Sequence, residues 1–266
     1  MEKMIDIHSH ILSVDDGAET VGEALVMLRI AQEQGVTQMV ATPHYLKDSK
    51  SNRGAFIKPL EIKEEISKLQ KVANKEKINI KILPGSEVYY HDQLGKDIND
   101  GLITMINGSK YFLLELPNGK IPMYLINVLY DCYHLNVKPI LAHPERNLEI
   151  MDNPDILYNL LKKDWLYAQV NSSSLLGIHG KEVKKTAEFL LKKNLVQFIG
   201  SDCHDIGKRK PSLQEGLEII KAMKLDPDYY LKNNLDLIEN KEIRMKNPKR
   251  VSRSFFFKAR KELAFG

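Results

Sequence analysis

Seven short apolar segments recur along the chain, and most are followed by a run with helical spacing. They lie at residues 3–8, 36–44, 78–87, 110–116, 137–145, 165–173 and 195–204. The intervening runs at 19–35, 59–76, 121–136, 153–163, 180–194 and 212–224 read as helices. In the first, Ala24, Leu25, Leu28 and Ala31 mark one face and Gly35 the stop; Pro59 opens the second. Strands alternating with helices call for parallel βαβ units, and seven units suggest a barrel that is distorted and short of the usual eight. The expected fold class is therefore α/β, a distorted seven-unit barrel. A length of 266 residues suits one such domain. The barrel is assigned to residues 1–240, and 241–266 are read as a basic extension of the same domain.

Several function classes drop out on composition. No apolar run approaches the ~18 residues of a membrane-spanning helix, and the N-terminus "MEKMIDIHSH" has no secretory pattern. Cys132 and Cys203 make no disulfide framework, so a cytoplasmic protein is expected. No glycine-rich phosphate loop is visible. The net charge of +4 is local: from Lys241 onward nine Lys/Arg face two acids, which leaves residues 1–240 at −3. That balance argues against a nucleic-acid partner. The polar loop at 46–58 is the candidate for a mobile flap. The tail "KNPKRVSRSFFFKARKELAF" is expected to dock its aromatic residues on the barrel, with attraction to an anionic membrane or an acidic partner as the alternative.

The ionisable residues fall at the C-terminal ends of the strands, where barrel active sites form. His8 and His10 end the first, His44 the second, Glu87 the third and Glu115 the fourth. His143 ends the fifth; Asp202 and His204 end the seventh. Residues two apart in a strand share a face, so each pair points inward. The turn "VDDG" after the first strand brings Asp15 or Asp16 over the mouth. So many buried charges need a compensating partner, which points to metal ions. Nitrogen and oxygen donors without cysteine suit Mn²⁺, Zn²⁺ or Fe²⁺ and suit Mg²⁺ less well. Nine candidates exceed one ion's needs, so two or three ions are expected, with Glu87 or Asp202 as a bridge. His91, His134 and His179 are read as structural or surface residues.

Taken together, "DIHSH", "ATPHY", "GSEVY", "LLEL", "LAHPER" and "IGSDCH" resemble the PHP (polymerase and histidinol phosphatase) superfamily. "HSHIL...DDGAET", "EQGVTQMVATPHY" and "HPERN" resemble its bacterial manganese-dependent protein-tyrosine phosphatases, encoded with capsule and exopolysaccharide genes. The likeness spans roughly residues 4 to 240, with Ser13 a mild departure. It implies a PHP barrel with a trinuclear centre. One metal would take His8, His10, Glu87 and Asp202; a second Glu87, Glu115 and His143; a third Asp16, His44 and His204. It also implies that Arg146 and Arg209 bind phosphate, and that the partner is a phosphotyrosine protein, a membrane-associated bacterial tyrosine kinase.

The expected reaction is direct attack of metal-bound hydroxide on phosphotyrosine, without a phosphoenzyme. His44, His204 or a metal-bound water donates the leaving-group proton. The alternative is another phosphomonoester such as histidinol phosphate. "CHDIGKR" also has the C-x5-R spacing of cysteine-dependent phosphatases. Two fixed residues recur by chance, and a thiolate would leave the strand-end histidines unexplained.

Overall fold

The computed structural model describes residues 3–46 and 57–250. Most of the 46–58 loop and the end of the tail, with Phe255, Phe256 and Phe257, lie outside the described residues. Among the described residues are nine strands: β1 Met4–Ser9, β2 Val36–Ala41, β3 His44–Tyr45, β4 Lys81–Pro84, β5 Glu87–Tyr89, β6 Tyr111–Glu115, β7 Lys138–Ala142, β8 Tyr167–Asn171 and β9 Phe198–Gly200. All pair in parallel, in two sheets with orders β1-β2-β4 and β3-β5-β6-β7-β8-β9. The two sheets meet where β1 runs beside the end of β9: Asp202 N–H donates to His8 O and His10 N–H to Cys203 O, both at 2.9 Å.

The expected α/β fold with parallel strands is present. The segments read as single strands at 36–44 and 78–87 are each broken in two. Pro43 cannot donate to a ladder, and Pro84-Gly85 interrupts the other segment. These breaks divide the pairing into two sheets.

The expected helices form as α1 Val21–Glu33, α2 Pro59–Lys75, α4 Leu125–His134, α6 Asp155–Leu161, α8 Lys181–Lys192 and α9 Leu213–Ala222. α2 shows why: Pro59 sits in its first turn, and Ile62, Ile66, Leu69 and Ala73 form a buried stripe at helical spacing. Between them lie short helices the sequence did not signal, α3 Leu94–Asn99, α5 Leu148–Asp152 and α7 Ser172–Leu175. Apolar residues on the outer strand faces, Met39, Phe112 and Leu114 among them, pack on this helical layer. Ile5, Ile7, Tyr111, Leu113, Ile140, Tyr167 and Phe198 form a second, inner cluster.

α10, Pro227–Ile238, was not expected. Asp226 caps it and Pro227 starts it, and its Leu237 and Ile238 join the inner cluster. It lies against β1 and β9. Asn234 Nδ2 donates to Ile5 O and Ile199 O, each at 2.8 Å, and Asn233 Nδ2 to Gln197 O at 3.0 Å. The side-chain amides thus satisfy buried strand carbonyls and hold the joint between the sheets. Asn234→Ala leaves two such carbonyls unpaired and is expected to cost about 1–3 kcal/mol. A urea denaturation curve with an unchanged midpoint would contradict that role.

Candidate metal centre

The strand ends deliver the expected side chains to one buried place. Between Asp6 and Ser9 the β1–β2 register shifts, an irregularity that re-aims side chains. Ile7 enters the inner core, while His8 and His10 both reach the centre. The His8 Nε2 atom lies 3.1 Å from Glu87 Oε2 and 3.4 Å from Asp202 Oδ1. His10 Nε2 lies 3.2 and 3.5 Å from the same two oxygens. A second group forms beside it: Asp16 Oδ1 is 3.3 Å from His44 Nε2 and 3.5 Å from His204 Nε2. The other nitrogen of His44 faces Glu87 at 3.4 Å and Glu115 at 3.8 Å. His143 Nε2 reaches Glu87 Oε1 at 2.8 Å and Glu115 Oε1 at 3.9 Å.

Three sets have donor atoms within 4.8 Å of one another: His8, His10, Glu87, Asp202; His10, Asp16, His44, His204; and His44, Glu87, Glu115. These sets hold eight of the nine residues singled out in the sequence, and the ninth, His143, lies 2.8 Å from Glu87. The grouping differs from expectation in two details. His10 stands near the third set as well as the first, and His44 rather than His143 completes the set with Glu87 and Glu115.

Backbone geometry marks the same place. His143 has φ 33° and Asp202 φ 54°. Apart from Asn107, which lies within the short turn 106–108, the other described non-glycine residues with positive φ follow helix ends, whereas these two follow strands. Such conformations cost about 1–3 kcal/mol and cluster at functional sites. Gly17 is needed for close approach: a Cβ there would lie 2.0 Å from His10 O. Its absence lets the chain fold back, with Ala18 N–H donating to His10 O at 3.0 Å, so that both aspartates of "VDDG" cover the mouth.

The two aspartates divide the work. Asp16 is the group facing His44 and His204. Asp15 is buried, accepts from His10 Nδ1 at 2.9 Å and takes the His44 backbone N–H at 2.9 Å. On the other side Gln169 Oε1 accepts from His8 Nδ1 at 2.8 Å. Gln169 Nε2 donates to Asn171 Oδ1 at 2.8 Å, and Asn171 Nδ2 to Asp202 Oδ2 at 2.6 Å. These partners hold each Nδ1 proton, which leaves the Nε2 lone pairs of His8 and His10 aimed at the centre. The sequence reading missed Gln169 and Asn171. Their signal was two amides, two residues apart, at the end of an otherwise apolar strand.

The electrostatics fit a cation. Burial alone would lower the pKa of His8 and of His44. Glu87 and Asp202 instead raise His8 to about 9, and Glu87, Asp16 and Glu115 raise His44 to about 10. Burial and the neighbouring Glu87 push Glu115 up to about 7. Burial and Arg146 lower His143 to about 4. His8 and His10 Nε2 lie 3.3 Å apart, and His44 Nδ1 is buried without a hydrogen-bond partner. Nitrogens facing one another across buried carboxylates are the donor chemistry of a metal site.

At the lip, Arg146 Nη1 and Arg209 Nη2 donate to the same Asp202 Oδ2 at 3.2 and 2.9 Å. Asp205 Oδ1 shapes the second arginine's loop by accepting from Gly207 N–H at 2.7 Å and Arg209 N–H at 3.0 Å. Cys203 lies in the packing behind β9, fully buried, and burial with Asp6 pushes its thiol well above the usual range. A thiolate nucleophile is not available there. His91 is buried 3.4 Å from Asp97, and His134 packs edge-on against Tyr130.

A family model described as "Capsular polysaccharide synthesis, CpsB/CapC" matches residues 4–250. The chain belongs to this family. It is 35% identical over 258 residues to the tyrosine-protein phosphatase YwqE of Bacillus subtilis, covering 96% of this chain and 99% of that one. It is 36% identical over 248 residues to a putative tyrosine-protein phosphatase CapC of Staphylococcus aureus, covering 92% and 95%. A solved structure from work on YwqE and Streptococcus pneumoniae CpsB, described as "unique metal-dependent tyrosine phosphatases", superposes with TM-score 0.87 at 34% identity. It covers 94% of this chain and all of the other.

Gln169→Leu keeps the volume of the His8 partner and removes its acceptor. The expected result is a roughly 10–100-fold weaker affinity for Mn²⁺ by titration calorimetry. Unchanged affinity would remove the orienting role.

Proposed function

We propose that the chain is a metal-dependent protein-tyrosine phosphatase that acts in capsular or exopolysaccharide synthesis. The observation that carries this is the pair of arginines meeting on Asp202 at the lip of a buried histidine–carboxylate centre. We read the strands as a distorted seven-unit PHP barrel over residues 1–240, with 241–266 as its extension. The fit of the donor set supports two or three ions, Mn²⁺ first, with Fe²⁺, Zn²⁺ and Mg²⁺ as alternatives. They would be held by His8, His10, Asp16, His44, Glu87, Glu115, His143, Asp202 and His204. Divalent ions in such a site supply Lewis acidity and make water acidic enough to act as a nucleophile near neutral pH.

The chain's own residues do the rest. Arg146 and Arg209 are partly exposed and can turn from Asp202 to the equatorial phosphoryl oxygens, where charge spreads in the transition state. Asp15, Gln169 and Asn171 hold the imidazoles and Asp202 in place. Tyrosine leaves as a phenolate whose pKa is about 10, which lessens the need for a strong acid. His44 and His204 are more accessible than the fully buried His8 and His10, and we place the protonation of that oxygen on their side of the centre. The phosphoryl group passes directly to water, with no phosphoenzyme. The substrate is a phosphotyrosine protein, and we propose a membrane-associated bacterial tyrosine kinase met in the cytoplasm. Among the described residues no helix is long and apolar enough to cross a membrane.

The test compares metal-stripped protein with protein given Mn²⁺, on a phosphotyrosyl peptide, a phosphoseryl peptide and histidinol phosphate. Activity that returns with Mn²⁺ and favours phosphotyrosine is expected. Activity surviving stripping contradicts the metal role, and a preference for histidinol phosphate contradicts the substrate. Arg146→Ala or Arg209→Ala should lower kcat/KM by about 100-fold or more.

A further inference from the structure

β8 brings no histidine or carboxylate to the centre. It ends at Asn171 and runs through α7 into the turn 176–180. In the sheet β8 lies between β7 and β9, so this turn stands between the segments that carry Arg146 and Arg209. His179, in the turn, is close enough to feel the charges of both arginines, Asp202 and His143. Burial and Arg146 lower its pKa to about 4, which leaves it neutral. Its Nε2 lies 3.3 Å from Ser173 Oγ.

The same three segments carry exposed aliphatic side chains. Leu148 is two residues beyond Arg146 and 58% exposed. Leu176 is 36% exposed. Ile206, in the loop that Asp205 shapes around Arg209, is 49% exposed. One exposed leucine needs no explanation. Here three follow the adjacent strands β7, β8 and β9, on the segments that carry or lie between Arg146 and Arg209.

Resting on the phosphatase reading above, we propose that Leu148, Leu176 and Ile206, with His179 between them, form an aryl-binding rim that recognises the ring of phosphotyrosine. A phosphoryl group held by Arg146 and Arg209 leaves its substituent to project across this rim. A phenyl ring is long enough to cover aliphatic surface there, whereas the short methylene of phosphoserine is not. The neutral His179 imidazole flanks the ring without adding a third positive charge beside the arginines.

The experiment uses Leu176→Ser, Ile206→Ser and the double variant, each loaded with Mn²⁺. Phenylphosphonate and inorganic phosphate serve as competing inhibitors of phosphotyrosyl-peptide hydrolysis. The double variant is expected to raise the KM for the peptide and the Ki for phenylphosphonate about tenfold, with the Ki for phosphate within about twofold. Ile206→Met restores apolar area and should keep the Ki for phenylphosphonate near that of the parent. An unmoved phenylphosphonate Ki overturns the rim. So does an equal weakening of both inhibitors, since that signals displaced arginines. The parent enzyme is assayed first: failure to hydrolyse the phosphotyrosyl peptide at all overturns the phosphatase reading and the rim with it. Both side chains are exposed, and thermal melting confirms that the variants fold.

Discussion

Four imidazoles converge on one buried carboxylate. Glu87 receives His8, His10 and His44 on one oxygen, at 3.1, 3.2 and 3.4 Å, and His143 on the other at 2.8 Å. Burial would raise the pKa of such a carboxyl, yet His8 and His44 hold it well below the usual carboxylate range. An ionised group in a low-dielectric interior survives only when paired. The rest of the centre is arranged around that requirement. Pro84-Gly85 breaks the strand just before Glu87, and Glu87 N–H then donates to Pro43 O at 3.1 Å. The two strand breaks thus meet at the residue on which the imidazoles depend.

The fold maintains this arrangement at a cost. His143 and Asp202 sit in left-handed backbone, and the β1 register slips beside His8. Gly200 permits a second close approach, since a Cβ there would lie 2.7 Å from the His8 Cβ. These features pull against regular strands, and the Asn234 contacts to β1 and β9 offset part of that tendency. Protons on His8 and His44 balance the carboxylates in the ion-free protein, so metal uptake must displace them.

Much of this was legible because it follows from position. Alternation of apolar and helical segments predicts parallel strands, and the end of a parallel strand is where a side chain can serve a common site. His8, His44, Glu87 and Asp202 were found on that ground. Position alone does not separate Asp15 from Asp16, because adjacent residues in a turn differ only by the direction the loop gives them; the family resemblance singled out Asp16. Gln169 and Asn171 were passed over because amides have no metal-site signature of their own; their role exists only once β8 lies beside β9. α10 was missed for a related reason. Its buried Asn233 and Asn234 make it look polar, and only the strand carbonyls above them explain why they are inside. His179 was read as a structural or surface residue, and the order of β7, β8 and β9 places its turn between the segments that carry the two arginines.

The most direct measurement is anomalous X-ray diffraction from crystals grown with Mn²⁺, collected at the manganese edge. The account predicts peaks within the donor sets around Glu87, with one bounded by His8, His10 and Asp202 and another by Asp16, His44 and His204. Protein that diffracts well and shows no manganese between these side chains would contradict it.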